Sequence, residues 1–248
     1  MPHLTAKVHA RLLRGVPIAK IFSVKTNAVS ARLIYPPHPA ITWRPERLDE
    51  LKGYVAQYKY DDWRILVYFV PGAGVQLFGR RKAPLPRYRP PEQMLRELNA
   101  LPVTRDKLQV LDGGLLHYKT SRIKDTLVFW DILIHDGRYL LGTTYRERYD
   151  LLTRILGTPV EPVSLSYADE ASGVRKDIVI ATRASRHIWL AHLLQGDFQR
   201  HFREAAPLPE IEGLVLKDPN ARLTRAHRAE SNASWQIRAR KPGENYEY

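Results

Sequence analysis

Apolar positions along the chain recur with two different periods. Before residue 54 the spacing is helical or is broken by proline. Leu4, Val8 and Leu12 fall on one face of a predicted basic amphipathic helix, and ARLIYPPHPAITWRP, residues 31–45, reads as an extended connection. PERLDELKG then predicts a short helix. From Tyr54 the period shortens to that of strands: YVAQYKY, RILVYFV and VQLFGRR are short β-rich runs, with PGAG as the hairpin turn between the last two. PEQMLRELNA, residues 91–100, starts on proline and returns to helical spacing. LQVLDGGLLHY and TLVFWDILI predict two further strands, and TYRERYDLLTRIL a helix. The basic stretch RASRHIWLAHLLQGDFQRHFREA, residues 183–205, predicts one long helix, and EGLVLKD and SWQIRARK predict the last strands.

This mixture predicts an α+β fold, with largely antiparallel sheets flanked by helices. Strand and helix do not alternate regularly, which argues against a doubly wound parallel sheet. The change of pattern divides the chain into a basic N-terminal segment, 1–53, and a main domain, 54–248.

Composition adds partners and compartment. The 248 residues carry 39 Lys and Arg against 26 Asp and Glu, a net charge of +13, which points to a polyanionic partner, most simply nucleic acid. The sequence holds no cysteine, so disulfides and thiolate metal sites are excluded and a cytoplasmic location is the expectation, with association with the nucleoid as one option within it. No apolar run reaches the roughly 20 residues needed to cross a bilayer, so no membrane is expected as a partner. The N-terminus lacks the continuous apolar stretch and small-residue cleavage site of a secretory signal.

Several standard sites are missing from the sequence: the GxxxxGK[ST] phosphate loop, the HExxH metal helix and the GxSxG elbow. His187, His192 and His201 are five and nine residues apart, which does not place them on one face of the helix predicted for them. That spacing argues against zinc and leaves them as solvated or phosphate-contacting side chains. What remains is an ordered set of polar motifs at strand ends: KYDDWR, LFGRR, VLDGG, VFWDILIHDG, EGLVLK and WQIRARK. Each is weak alone, and the order of all six is the signal.

The series resembles the motifs of the covalent nucleotidyltransferase superfamily, and is most similar to the catalytic (adenylation) domain of ATP-dependent DNA ligases. The family's EYKYDGxR corresponds to Gln57 through Arg64, its EGLMVK to Glu212 through Lys217, and its KxKK to Arg238 through Lys241. FWDILIHDG and YRERYDLL are similar to its aromatic–aspartate strand and following helix. The resemblance spans about Tyr54 to Pro242 and implies a nucleotidyltransferase (ATP-grasp-like) domain of the ligase type, using ATP and Mg²⁺. Lys59 would attack the α-phosphate and carry AMP, with Arg238 and Arg240 neutralising the transferring phosphate. Burial, neighbouring cations and bound metal would favour the neutral amine. Gln57, Arg64, Trp130 and Lys217 would bind the nucleotide, with Trp130 stacking on adenine; Glu212 would bind the metal. Arg80 and Arg81 would face nucleic-acid phosphate. The activity implied is sealing of 5′-phosphate/3′-hydroxyl nicks in duplex DNA, in repair or replication.

The motifs depart from the family at four places. Gln57 stands for a glutamate, Asp62 for a glycine, Gly114 for a glutamate that contacts the nucleotide's sugar, and Arg238 and Arg240 for lysines. The sequence ends just past the fifth motif, so no C-terminal OB-fold domain is expected: the chain is then either a minimal enzyme or one whose OB-fold or DNA-clamping function comes from a protein partner. An RNA ligase or capping-type transferase shares the motifs, and the departures also suit a ligase-fold scaffold that binds nucleic acid without chemistry.

Overall fold

The computed structural model describes residues 34–83, 85, 87–169, 172–224 and 232–242. The N-terminal helix expected around Leu4 to Leu12 and the tail GENYEY lie outside them. The described elements in chain order are β1 (His38–Thr42), a 3₁₀ helix (Pro45–Glu50), β2 (Val55–Tyr60), β3 (Trp63–Val70), β4 (Gly74–Gly79), α1 (Glu92–Ala100), β5 (Gln109–Leu116) and β6 (Thr126–His135). There follow β7 (Arg138–Tyr139), α2 (Tyr145–Ile155), β8 (Glu161–Ala168), β9 (Arg175–Arg183), β10 (Ile188–Ala191), β11 (Leu194–Gln195), α3 (Phe198–Ala205), β12 (Ile211–Lys217) and β13 (Asn232–Arg240).

Two sheets result. One runs β1-β13-β12-β2-β11, and the other β4-β3-β5-β6-β10-β9-β8 with β7 paired to β6. Among the described residues pairing is antiparallel except for β1 with β13 and β10 with β6. The α+β, largely antiparallel expectation therefore holds. Residues 38–50, which the sequence pattern groups with the N-terminal segment, contribute β1 and the 3₁₀ helix to the same compact unit as the rest.

Strand alternation sorts side chains into cores. Ala56, Tyr58, Tyr60, Leu214, Leu216, Ile237 and Ala239 come from one face of the five-stranded sheet and pack with Phe198 and Phe202 of α3 and with Val128, Ile180 and Trp189. The opposite face of that sheet is left to carry polar side chains. A second core gathers Ile65, Val67, Leu111, Leu115, Leu127 and Phe129 under Met94 and Leu98 of α1 and Leu152 and Ile155 of α2. The α2 helix begins at a capping box: Glu147 N–H donates to Thr144 Oγ1 (3.2 Å), and Thr144 N–H donates to the Glu147 carboxylate (2.7 Å). Arg148, wholly buried, forks Asp131 of β6 at 2.8 and 3.0 Å and fastens α2 to the sheet.

One expected element is corrected. Residues 183–205 are not a single helix: they form the end of β9, then β10, β11 and a helix only over Phe198–Ala205. IWLA is a four-residue buried run, and a run that short has no period with which to tell strand from helix. The histidines separate accordingly. His187 sits before β10, buried, with Nδ1 3.1 Å from Glu97 Oε1, so it is neither solvated nor available to phosphate. His201 alone lies on a helix, α3.

Candidate active site

The polar face of the five-stranded sheet is one wall of a cavity of about 900 Å³. Alternation along β2 sends Gln57 and Lys59 to this face while Tyr58 and Tyr60 enter the core. The same alternation brings Val215 and Lys217 from β12 and Gln236, Arg238 and Arg240 from β13. The facing wall supplies Arg64 from β3 and Trp130 from β6, and the rim supplies Arg80 and Arg81 past the end of β4. All ten residues singled out from the sequence line this one cavity.

Two of them are aimed by bulges. Across β2 and β12, Ile211 pairs with Tyr60 and Gly213 with Lys59, so Glu212 is an extra residue set opposite the lysine. Gly213 is held at φ +147, and a Cβ there would lie 2.9 Å from Arg240 Cα and would strike the Ala239 carbonyl oxygen. Only glycine permits that bulge. Across β5 and β6, Asp112 pairs with Asp131 and Gly113 with Phe129, which makes Trp130 the extra residue of the second bulge.

Lys59 Nζ donates to Glu212 Oε2 in a close ion pair, with the two side chains 18% and 27% exposed. Arg240 Nε lies 3.6 Å from the same oxygen, and Lys119 Nζ lies 3.8 Å from Glu212 Oε1 and 2.8 Å from Asp61 Oδ1. Burial pushes the Glu212 carboxyl up; Lys59, with help from Asp61 and Arg240, outweighs it and holds the group below its ordinary value. Asp61 is displaced the other way, raised by burial and by its closeness to Glu212 against the pull of Lys119. Among the described residues no group of three His, Cys, Asp or Glu side chains is placed to hold a metal ion.

The facing wall is equally organised. Arg64 donates through Nε to Asp112 Oδ1 at 2.9 Å and through a second nitrogen to Oδ2, and its guanidinium lies 5.6 Å from the Trp130 ring centre. At the inner end Lys217 Nζ donates to Gln57 Oε1 (2.7 Å) and lies 3.3 Å from the Tyr145 hydroxyl. Burial lowers the Lys217 amine to about 7, against the smaller upward pull of Asp131 and Asp112. At the rim His38 Nε2 is 3.2 Å from Arg80, and burial with the surrounding arginines lowers its imidazole to about 4, so it is neutral at physiological pH. Arg238 donates to Thr42 Oγ1 at 3.1 Å.

Among solved structures, a mycobacterial DNA ligase D complexed with ATP and MES matches with a TM-score of 0.53 and 20% identity, over 84% of this chain and 60% of that one. The ligase domain from M. tuberculosis LigD matches with a TM-score of 0.52 and 21% identity, over 82% and 58%. The chain has the nucleotidyltransferase fold of ATP-dependent DNA ligases. It spans about three-fifths of the length of those two structures. No protein-family model matches it, and no curated protein does.

Within this ligase-type fold the site also holds residues to which the motif reading assigns no role. Asp112 fixes Arg64, Lys119 bridges Asp61 and Glu212, and His38 meets Arg80. Asp112 carried a usable signal, an acid alone in an apolar strand. Lys119 and His38 carried none, because each reaches the cavity through pairing between distant segments. Among the described residues no helix is long and apolar enough to cross a membrane.

Proposed function

We propose that the chain is the nucleotidyltransferase core of an ATP-dependent polynucleotide ligase, with DNA as its polynucleotide. The supporting observation is the Lys59–Glu212 pair on the wall of a nucleotide-sized cavity, ringed by Arg64, Arg238 and Arg240. An amine held there can attack the α-phosphate of ATP. The Lys59 Nζ–Pα bond forms, the bond from Pα to the bridging oxygen breaks, and pyrophosphate leaves with the electron pair. The ammonium must first lose a proton and its carboxylate partner. Arg238 and Arg240 supply fixed positive charge for the negative charge on the oxygens of the transferring phosphate. Trp130 offers adenine a flat apolar face, an interaction worth roughly 1–3 kcal/mol.

Glu212 with Asp61 beside it suits a hard divalent cation, since Mg²⁺ commonly takes one or two carboxylates and completes its shell with phosphate oxygens and water. The ion would draw off phosphate charge during transfer. In the later steps a 5′-phosphate oxygen displaces Lys59 from AMP, and a 3′-hydroxyl then displaces AMP to seal the strand. Arg80 and Arg81 at the rim, and the net charge of +13, suit a duplex backbone. The match to DNA ligases of known structure favours DNA over RNA.

The test is incubation with ATP labelled on the α-phosphate and Mg²⁺, followed by denaturation and detection of label on the chain. Label that disappears in Lys59→Ala supports the assignment. Its absence from the wild-type chain at high protein and metal concentration removes it.

A further inference from the structure

Asp62, the second residue of the two-residue turn that joins β2 to β3, lines the cavity. Its Oδ2 is buried and meets no hydrogen-bond donor among the described residues. A buried carboxylate oxygen without a donor is costly, and such a group in a cavity wall is completed by what the cavity binds. The backbone opposite makes room for it. Gly114 of β5 pairs in register with Arg64, and a Cβ at 114 would collide with the carboxylate, lying 2.7 Å from Asp62 Cγ and 2.9 Å from its Cβ. Gly114 has no left-handed φ to demand glycine. Its lack of a side chain therefore serves the space that Asp62 fills. Gly114 also shares a strand face with Asp112, which carries the cavity-lining Arg64.

The position restricts what can donate to Asp62. Lys59, Arg238 and Arg240 gather where phosphate would bind, and a carboxylate repels phosphate. Trp130 offers the flat apolar surface suited to a base, and it touches Arg64, the residue paired with Gly114. Between base and phosphate a nucleotide presents sugar hydroxyls, which are donors to an anionic oxygen. We propose that Asp62 is the sugar-reading residue of this site: its carboxylate accepts hydrogen bonds from the ribose hydroxyls of the bound nucleotide, in room vacated by Gly114. The inference rests on the nucleotide-binding reading given above and adds the residue that sets preference for a ribonucleotide.

Equilibrium binding to the full chain carrying Lys59→Ala, which cannot form the covalent adduct, tests this without relying on catalysis. ATP, 2′-deoxyATP and 3′-deoxyATP are titrated at pH 8 with Asp62 present and with Asp62→Asn. With Asp62 present, at least one deoxynucleotide should bind about 10- to 100-fold more weakly than ATP, the range of a hydrogen bond to a charged group. In Asp62→Asn that discrimination should shrink by a factor of about ten or more. Equal affinity for all three nucleotides in the presence of Asp62 overturns the assignment. So does an equal loss toward all three on mutation, which would make Asp62 a general electrostatic group. Absence of any ATP binding, by contrast, removes the nucleotide site itself. The exchanged pair Asp62→Gly with Gly114→Glu guards against a folding artefact: circular dichroism establishes the fold, and a regained preference for ATP supports the inference.

Discussion

Replacing Asp62 by asparagine should make the protein more stable, although the residue faces the site. Burial pushes the Asp62 carboxyl up to about 6, opposed by a smaller pull from Lys59 and Arg64. Between its ordinary value and about 6 the folded chain keeps a proton that the unfolded chain has lost. The stability associated with this group is therefore full below about pH 4 and is lost as pH rises through 6. The interval corresponds to about 3 kcal/mol at pH 7.5. Asparagine keeps the shape and removes the charge, while its amide N–H groups bring a donor requirement of about 1 kcal/mol. The net gain is then about 2 kcal/mol at pH 7.5, or roughly 4–8 °C in melting temperature for a chain of this size. At pH 4 the gain should vanish. Thermal and urea unfolding of both proteins at pH 4 and 7.5 measures it. A variant less stable than wild type at pH 7.5, or one stabilised equally at both pH values, would refute the reasoning.

Three further outcomes follow from neighbouring features. Arg148→Met leaves the Asp131 carboxylate buried and unpaired, so urea unfolding should show a loss of about 3–5 kcal/mol. Gly213→Ala forces a side chain into the Ala239 carbonyl at a left-handed backbone angle; it should cost about 2–4 kcal/mol and reduce lysine labelling more than that loss explains, by shifting Glu212. Burial holds Lys217 uncharged above about pH 7 while the unfolded chain keeps the proton to about pH 10, so stability gains a component that rises across that window. In Lys217→Met, pH-dependent unfolding should show that component gone.

Much of this organisation was legible in the sequence as short runs rich in β-branched and aromatic residues. YVAQYKY, RILVYFV, VQLFGRR, TLVFWDILI and EGLVLKD fall on β2, β3, β4, β6 and β12, and β3 and β6 are apolar on both faces because both are buried. TYRERYDLLTRIL carries its own start signal, the Thr144–Glu147 capping box of α2. The β8–β9 hairpin left a weaker trace, since both strands are largely exposed and Glu161, Arg175, Lys176 and Asp177 dilute the pattern. The ten site residues were found through motif order, and they converge on one cavity. How they are aimed was hidden. Neither the bulge that turns Glu212 toward Lys59 nor the room above Gly114 that admits Asp62 follows from local propensity. Both depend on register between strands far apart in the chain.

The parallel pairing of β1 with β13 has a consequence for synthesis. Residues 38–42 find their partner only after residues 232–240 have left the ribosome, and β2 likewise waits for β12. The eight-stranded sheet draws all its strands from residues 63–191, so it can assemble on the nascent chain first. Long-range pairing closes slowly because the entropy of a large loop is lost before any contact rewards it. The sheet that bears Lys59 is thus expected to be completed last, and a chain that lacks residues 232–240 should leave β1 and one edge of β12 without their strand partner, open to chaperones.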